Sequence, residues 1–362
     1  MRIITAVLFT ILSNLSFVYS QSLPQDKLDP YGFVNKYDTL FDGIGPRVYI
    51  LPLPRTLKDE MIDTYKEIES FQDSIHISFQ KHRLISTFRN TSNNVTVENI
   101  ISESPSENSI QEIIQQYVDH KNHSIVYALY NKLAHNYLKN RNPKNALEAL
   151  QLSLSHAQKI NNAQDLAVIQ SNLATVYLLL AKYDDAMHFE DLNLEYAIKS
   201  KSLTDQAVSY GKLAWIQAYK KDYQPAENTI IRKAIPLFNK SKNYLGKIEA
   251  WIILADIYRS QNKHTQAQWF LIQARDLAKK HELPDNLALI EYMLGSSKMI
   301  QHNYRIAKNE LEIAWDLVQN TPNMYLQIAT AEQLGRANVH LGNYDSAKDF
   351  LTYYWKLRNS LF

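Results

Sequence analysis

"NLATVYLLLAKYDDA", Asn172 to Ala186, holds a Leu-Ala pair at Leu173 and Ala174, a Tyr four residues after that Leu, and a further Ala thirteen after it. The same frame returns along the chain. Leu-small pairs stand at Leu133-Ala134, Leu213-Ala214, Leu254-Ala255, Leu294-Gly295 and Leu334-Gly335, at a period of 40 and once 41. An Ala follows each Leu by thirteen, at Ala146, Ala186, Ala226, Ala267, Ala307 and Ala347. Six units of fixed internal spacing mark an architecture built by stacking. Small residues are needed where two helix axes approach more closely than large side chains permit. Leu133 with Tyr137, Leu173 with Tyr177 and Leu254 with Tyr258 lie four apart, on one face of the first helix of a pair.

Between the Leu and the Ala of each unit comes a polar turn: "KNRNP", "AKYDD", "KKDYQP", "SQNKH", "QHNYR" and "LGNYD". Pro143 and Pro225 fall near the starts of second helices, where a missing amide proton costs nothing. Tyr183, Tyr223, Tyr304 and Tyr344 each stand ten residues after the repeat Leu, placed to wedge the turn against the next unit.

These residues give the chain from about Ser124 onward a resemblance to tetratricopeptide repeats. It departs in length, because the usual repeat is about 34 residues. The Leu-to-Ala spacing is kept, so the extra residues lengthen both helices at the ends away from their shared turn. The resemblance implies an all-α fold, a right-handed superhelical α-solenoid of six helix pairs over 124–362, with repeats starting near 127, 167, 207, 248, 288 and 328. Long repeats of this kind are similar to those of bacterial peptide-sensing regulators.

Ahead of the repeats, "MRIITAVLFTILSNLSFVYS" has a basic start, a short apolar run and a small final residue, the layout of a secretory signal peptide over 1–20. Its apolar run is shorter than the ~20 residues of a membrane span. Residues 21–55, rich in Pro and Gly, read as an irregular lead-in. A helical N-terminal cap is expected over 56–123. Thr56 and Asp59 sit like a helix cap, and Leu57, Met61, Tyr65, Ile68, Ile75 and Phe79 follow helical spacing. The polar run from Asn90 predicts a flexible loop near 90–109, and Ser109 with Glu112 a capping box for the helix that follows. The whole segment reads as a degenerate repeat closing the solenoid's first end, or else as a separate N-terminal ligand domain.

The formal charge is +2, or +1 without residues 1–20, where Arg2 is the one charged side chain. That balance offers nothing to nucleic acid or an anionic membrane. With no cysteine there is no disulfide, thiolate metal site or cysteine nucleophile. Eight glycines in 362 residues scarcely supply a phosphate cradle, and no nucleophile elbow or His-Glu-x-x-His is present. His76 with His82 and His120 with His123 lack further ligands at metal-binding spacing. No cofactor and no metal are expected.

The resemblance places a binding surface on the inner helices. By position in the repeat it implies Asn131, His135, Leu178, Trp215, Tyr219, Ile252, Asp256, Arg259, Tyr292, Met299 and Arg336 as groove residues. Relatives that hold a peptide's terminal carboxylate use a Lys and Asn clamp; Asn131 and His135 stand at the matching positions, which speaks against that ligand. Trp215, Tyr219 and Tyr292 are the kind of side chain that dominates interfaces, or else they fill the core. At the other end, Phe350, Leu351, Tyr354, Trp355 and Leu361 give the last helix an apolar face with no following repeat, an expected dimer or docking surface. The reading is a non-catalytic, exported scaffold, periplasmic or secreted from a bacterium, that binds a protein or peptide. The rival is a peptide-sensing input module of a membrane signalling system.

Overall fold

A computed structural model describes residues 55–102, 106–319 and 321–361, in two compact units, Met1–Glu60 and Met61–Phe362. The expected signal peptide and all but the end of the lead-in lie outside the described residues. Among the described residues there are 16 helices and no strands. Three precede the repeats: α1 (Leu57–Ile85), α2 (Asn94–Ile101) and α3 (Glu107–Asp119).

Six inner-outer pairs follow. They are α4 (His123–Lys139) with α5 (Pro143–Ile160), and α6 (Ala163–Leu179) with α7 (Tyr183–Lys199). In the third pair α8 (Leu203–Tyr219) meets α9 (Tyr223–Thr229) and α10 (Ile235–Ser241). Then come α11 (Tyr244–Ser260) with α12 (His264–Lys280), and α13 (Pro284–Ile300) with α14 (Tyr304–Val318). Last are α15 (Met324–Leu341) and α16 (Tyr344–Leu361). A π-helical turn, Ile230–Ala234, joins α9 to α10. Pro236 has no amide proton to give the carbonyl four residues back, which favours such a bulge.

The inner helices begin four residues ahead of the expected starts, for a reason visible in the chain. Asn122, Asn162, Ser202, Asn243 and Asn323 each precede the repeat Leu by eleven. Their side-chain oxygens accept a first-turn backbone N–H. Repeat five lacks such a cap and begins at Pro284 instead. The turn inside every pair passes through one left-handed residue: Arg141, Ala181, Lys221, Asn262, His302 or Gly342, at φ of 57–78°.

All six repeat Leu residues and all six Ala residues thirteen later are buried. In the last two repeats the small residue is glycine, and the reason is a close approach. A Cβ at Gly295 would lie 2.5 Å from Leu311 Cγ, and one at Gly335 would run into Leu351.

The segment before the repeats differs from expectation in three ways. α2 is a helix where a loop was predicted, because Val97 and Ile101, four apart, are both buried and α2 packs on α4. The cap of α3 is Ser106, accepting from the Ser109 amide, three residues ahead of the predicted Ser109. Most consequential, α1 does not pair with its neighbours in sequence to extend the stack.

At the far end, Leu351 and Tyr354 are buried, so they add nothing to an exposed apolar face. Leu351 fills the notch over Gly335 of its own repeat; the sequence pattern cannot tell a residue facing the partner helix from one facing a missing neighbour. Phe350 lies edge-on to Trp315 at 5.6 Å, and Trp355 carries the Arg358 guanidinium over its ring at 5.2 Å. Phe350, Trp355 and Leu361 are half-buried.

Candidate functional site: the inner face and helix α1

The long helix α1 and the residues after it run along the inner helices from the last repeat to the first. Near its start, Tyr65 lies under the Arg336 guanidinium at 5.4 Å and edge-on to His340 at 5.7 Å, both in repeat six. About four turns further along, Phe79 meets Tyr292 of repeat five edge-on at 5.6 Å, and His82 stacks on Tyr325 at 4.6 Å. Arg83 then reaches Asp256 of repeat four at 2.5 Å and lies 5.2 Å over the Trp215 ring of repeat three. Phe88 stacks on His135 of repeat one at 4.8 Å.

Beyond α1 the backbone itself is read. Asn172 Oδ1 accepts from the Arg89 amide at 2.8 Å, and its Nδ2 donates to the Arg89 carbonyl at 2.7 Å. Asn131 donates to the same carbonyl at 3.2 Å. Asp165, almost fully buried, accepts from the Ser92 amide and hydroxyl and from the Tyr127 hydroxyl. A paired amide side chain is the usual way to hold an extended backbone without regard to its side chains.

Of the groove residues expected from sequence, Asn131, His135, Trp215, Asp256, Tyr292 and Arg336 therefore touch α1 or the strand of chain after it. Tyr219 and Arg259 line a cavity beside it. Leu178, Ile252 and Met299 are buried core positions. Asn172, Asp165 and Asp205, which pairs with Arg89 at 3.6 Å, were not anticipated. Their signal in the chain is a polar residue at a position the helical period puts inside.

Burial gives this surface its electrostatics. It works against the charged Arg83 guanidinium, but Asp256 and Glu249 outweigh it and hold the proton more firmly than usual. Burial raises Glu249, with Arg83 and Asn286 pulling the other way. It pushes the Tyr219 hydroxyl up to about 12, helped by Asp256. His135 is pushed down to about 4 by burial, then by Lys139 and Lys132, and burial also lowers His82. Both rings are stacked in their neutral form.

One further polar cluster lies between repeats two and three. Glu190, inaccessible to solvent, accepts from Ser171, Asn193 and Ser209 and pairs with Lys212 at 3.4 Å. Every oxygen there has a partner, as a buried charge requires. It is a fastener between units, without an opening to solvent.

The two ends of the repeat array also meet. Arg141, in the turn of repeat one, donates to the Leu361 carbonyl at 3.0 Å and to the Tyr325 hydroxyl at 3.4 Å, both in repeat six. Among the described residues no three metal-binding side chains cluster, and no helix is long and apolar enough to cross a membrane.

Residues 125–191 match the tetratricopeptide repeat family. No curated protein matches the chain. Among solved structures, a Rap protein complexed with competence and sporulation factor has a TM-score of 0.53 at 10% identity, covering 84% of this chain and 99% of that one. Nearly identical TPR-like repeats of a putative kinesin light chain from Podosopora anserina give 0.42 at 18%, over 53% of this chain and 94% of theirs. The apo form of the quorum sensor NprR from B. thuringiensis gives 0.46 at 13%, over 84% and 96%. The Leu, small-residue and Ala frame of that matched segment recurs through all six helix pairs, so the likeness to tetratricopeptide repeats in fold extends along the array.

Proposed function

We propose that the protein is a non-catalytic binding scaffold whose inner face receives a helical segment of a partner protein or peptide, and that α1 occupies that face until the partner arrives. One observation carries the reading: the inner face is already engaged from repeat six to repeat one by a single segment of its own chain. A surface that holds a helix through separated aromatic and charged anchors is suited to hold another of similar pattern. The occupied groove also gives the sensing alternative its footing, because displacing α1 supplies the two states that a sensor needs. The basic start and short apolar run at residues 1–20 support export as part of the same proposal.

The test uses the full chain and a labelled peptide of residues 57–89. A Phe79→Ala, Arg83→Ala variant, its own helix loosened, is expected to bind the peptide saturably in fluorescence anisotropy, while the wild type binds it at least tenfold more weakly. Equal binding by both proteins, or none by either with helicity intact, would refute the exchange.

A further inference from the structure

The residue that opens each outer helix is Tyr in four repeats, Pro143 in the first and His264 in the fourth. In repeat five the Tyr does visible packing: Tyr304 stacks on His340 of the next inner helix at 4.1 Å. A cavity lies at each of the two repeats where the Tyr is missing. Pro143 lines one of about 450 Å³ and His264 one of about 320 Å³.

The second cavity has the makings of a site. His264 is only 8% exposed, yet neither ring nitrogen has a hydrogen-bond partner. The Nε of Arg259 is also buried without one. Such groups are costly to leave unmade, which points to a polar occupant. His264 is the first residue of α12, whose capping position, Lys263, offers no side-chain acceptor. The amides and dipole of a helix start favour an anion.

Charge agrees. Arg83, on which Glu249 also acts, holds one oxygen of Asp256 at 2.5 Å, while Arg259 reaches the other oxygen only at 3.6 Å and keeps its Nε without a partner. Burial, with Arg259 beside it, lowers His264 and keeps the ring neutral near pH 7, so one nitrogen donates and the other accepts. Trp215, Tyr219, Ile257 and Ile300 give the cavity a flat, apolar side, and Gln80, Ser260, Asn262 and the Arg83-bound Asp256 complete its lining.

We propose that this cavity binds a carboxylate carried on a flat ring or short apolar stem, with the carboxylate at Arg259 and His264 and the ring against Trp215 and Ile300. The carboxylate comes either from a free small acid or from an acidic side chain of a docked segment. The site does not depend on α1 leaving, and its failure would leave the exchange proposed above untouched.

Calorimetric titration of the full chain with phenylacetate, phenylacetamide and acetyl-Phe-Glu-amide tests it. Saturable binding of either carboxylate, with the uncharged amide at least ~tenfold weaker, is expected, since a charge-assisted hydrogen bond contributes about that much. Phenylacetate alone identifies a free acid as the source, and the dipeptide alone a docked segment. His264→Tyr restores the residue of the other repeats, fills the space and should abolish binding with the fold intact. Arg259→Gln is the second variant and should weaken binding similarly; Pro143→Tyr, at the other cavity, should not change it. Equal affinity for acid and amide, no saturation by either carboxylate up to ~1 mM, or loss of binding in Pro143→Tyr but not His264→Tyr would overturn the proposal.

Discussion

Replacing Arg83 by Leu removes a buried charge that α1 sends into the inner face. Two contacts go with it: the ion pair to Asp256, whose side chains are 10% and 14% exposed, and the guanidinium over Trp215. A charge-assisted hydrogen bond of this burial contributes about 1.5–3 kcal/mol. The ring contact adds roughly 0.5–1 kcal/mol. Arg259, 3.6 Å from the other carboxylate oxygen, can turn toward Asp256 and spare it the full cost of a stranded charge. The docking of α1 should therefore weaken by about 2–4 kcal/mol, on the order of 30- to 1,000-fold in local opening.

Hydrogen exchange followed by mass spectrometry reads this segment by segment. Amides of residues 75–89 should exchange faster by that factor, while those of the outer helices α12 and α14 keep their protection. An Asp256→Asn partner variant completes a cycle in which the two changes are less than additive. Unchanged protection of residues 75–89 would show that the ion pair does not hold the helix. Equal loosening of α12 and α14 would show that α1 is an indivisible part of the core, and the idea of a removable occupant would fall.

Three other outcomes can be checked by denaturant or thermal unfolding. His135 holds fewer protons folded than unfolded as pH falls from about 6.5 to about 4, and burial shifts His82 in the same direction. Stability present above that window should be lost through it, and His135→Phe should flatten the slope; a flat profile in the wild type would contradict the buried stacks. Gly295→Ala drives a methyl into Leu311 and should cost about 1–3 kcal/mol, seen as a lower urea midpoint, whereas a neutral result would mean that the helices can separate there freely. Ala181→Gly relieves a left-handed alanine at φ 57° and should stabilise by about 1 kcal/mol; a lowered melting temperature would count against strain in that turn.

The repeat frame was legible because close packing demands small residues at a fixed place in every pair, and Ala146 through Ala347 carry that demand openly in the chain. The expected starts of the inner helices fall four residues late, because they follow the Leu frame rather than the Asn and Ser caps eleven residues before it. The destination of α1 was not legible. Tyr65, Phe79 and Arg83 show only that one face of a helix is buried; their partners lie far along the chain, and helical period carries no address. The same limit explains Leu351 and Tyr354, apolar residues with partners in their own repeat. The cavity at His264 had a sequence signal of a different kind, a break in a column of tyrosines.

The bond from Arg141 to the Leu361 carbonyl gives the array a clasp. An open spring releases what it holds sideways, by flexing a little at every coil. In a coil whose first and last turns touch, a segment leaving sideways between them has that contact to part as well. If segments are exchanged on the inner face as proposed, the contact of one arginine at the rim is among those that must part.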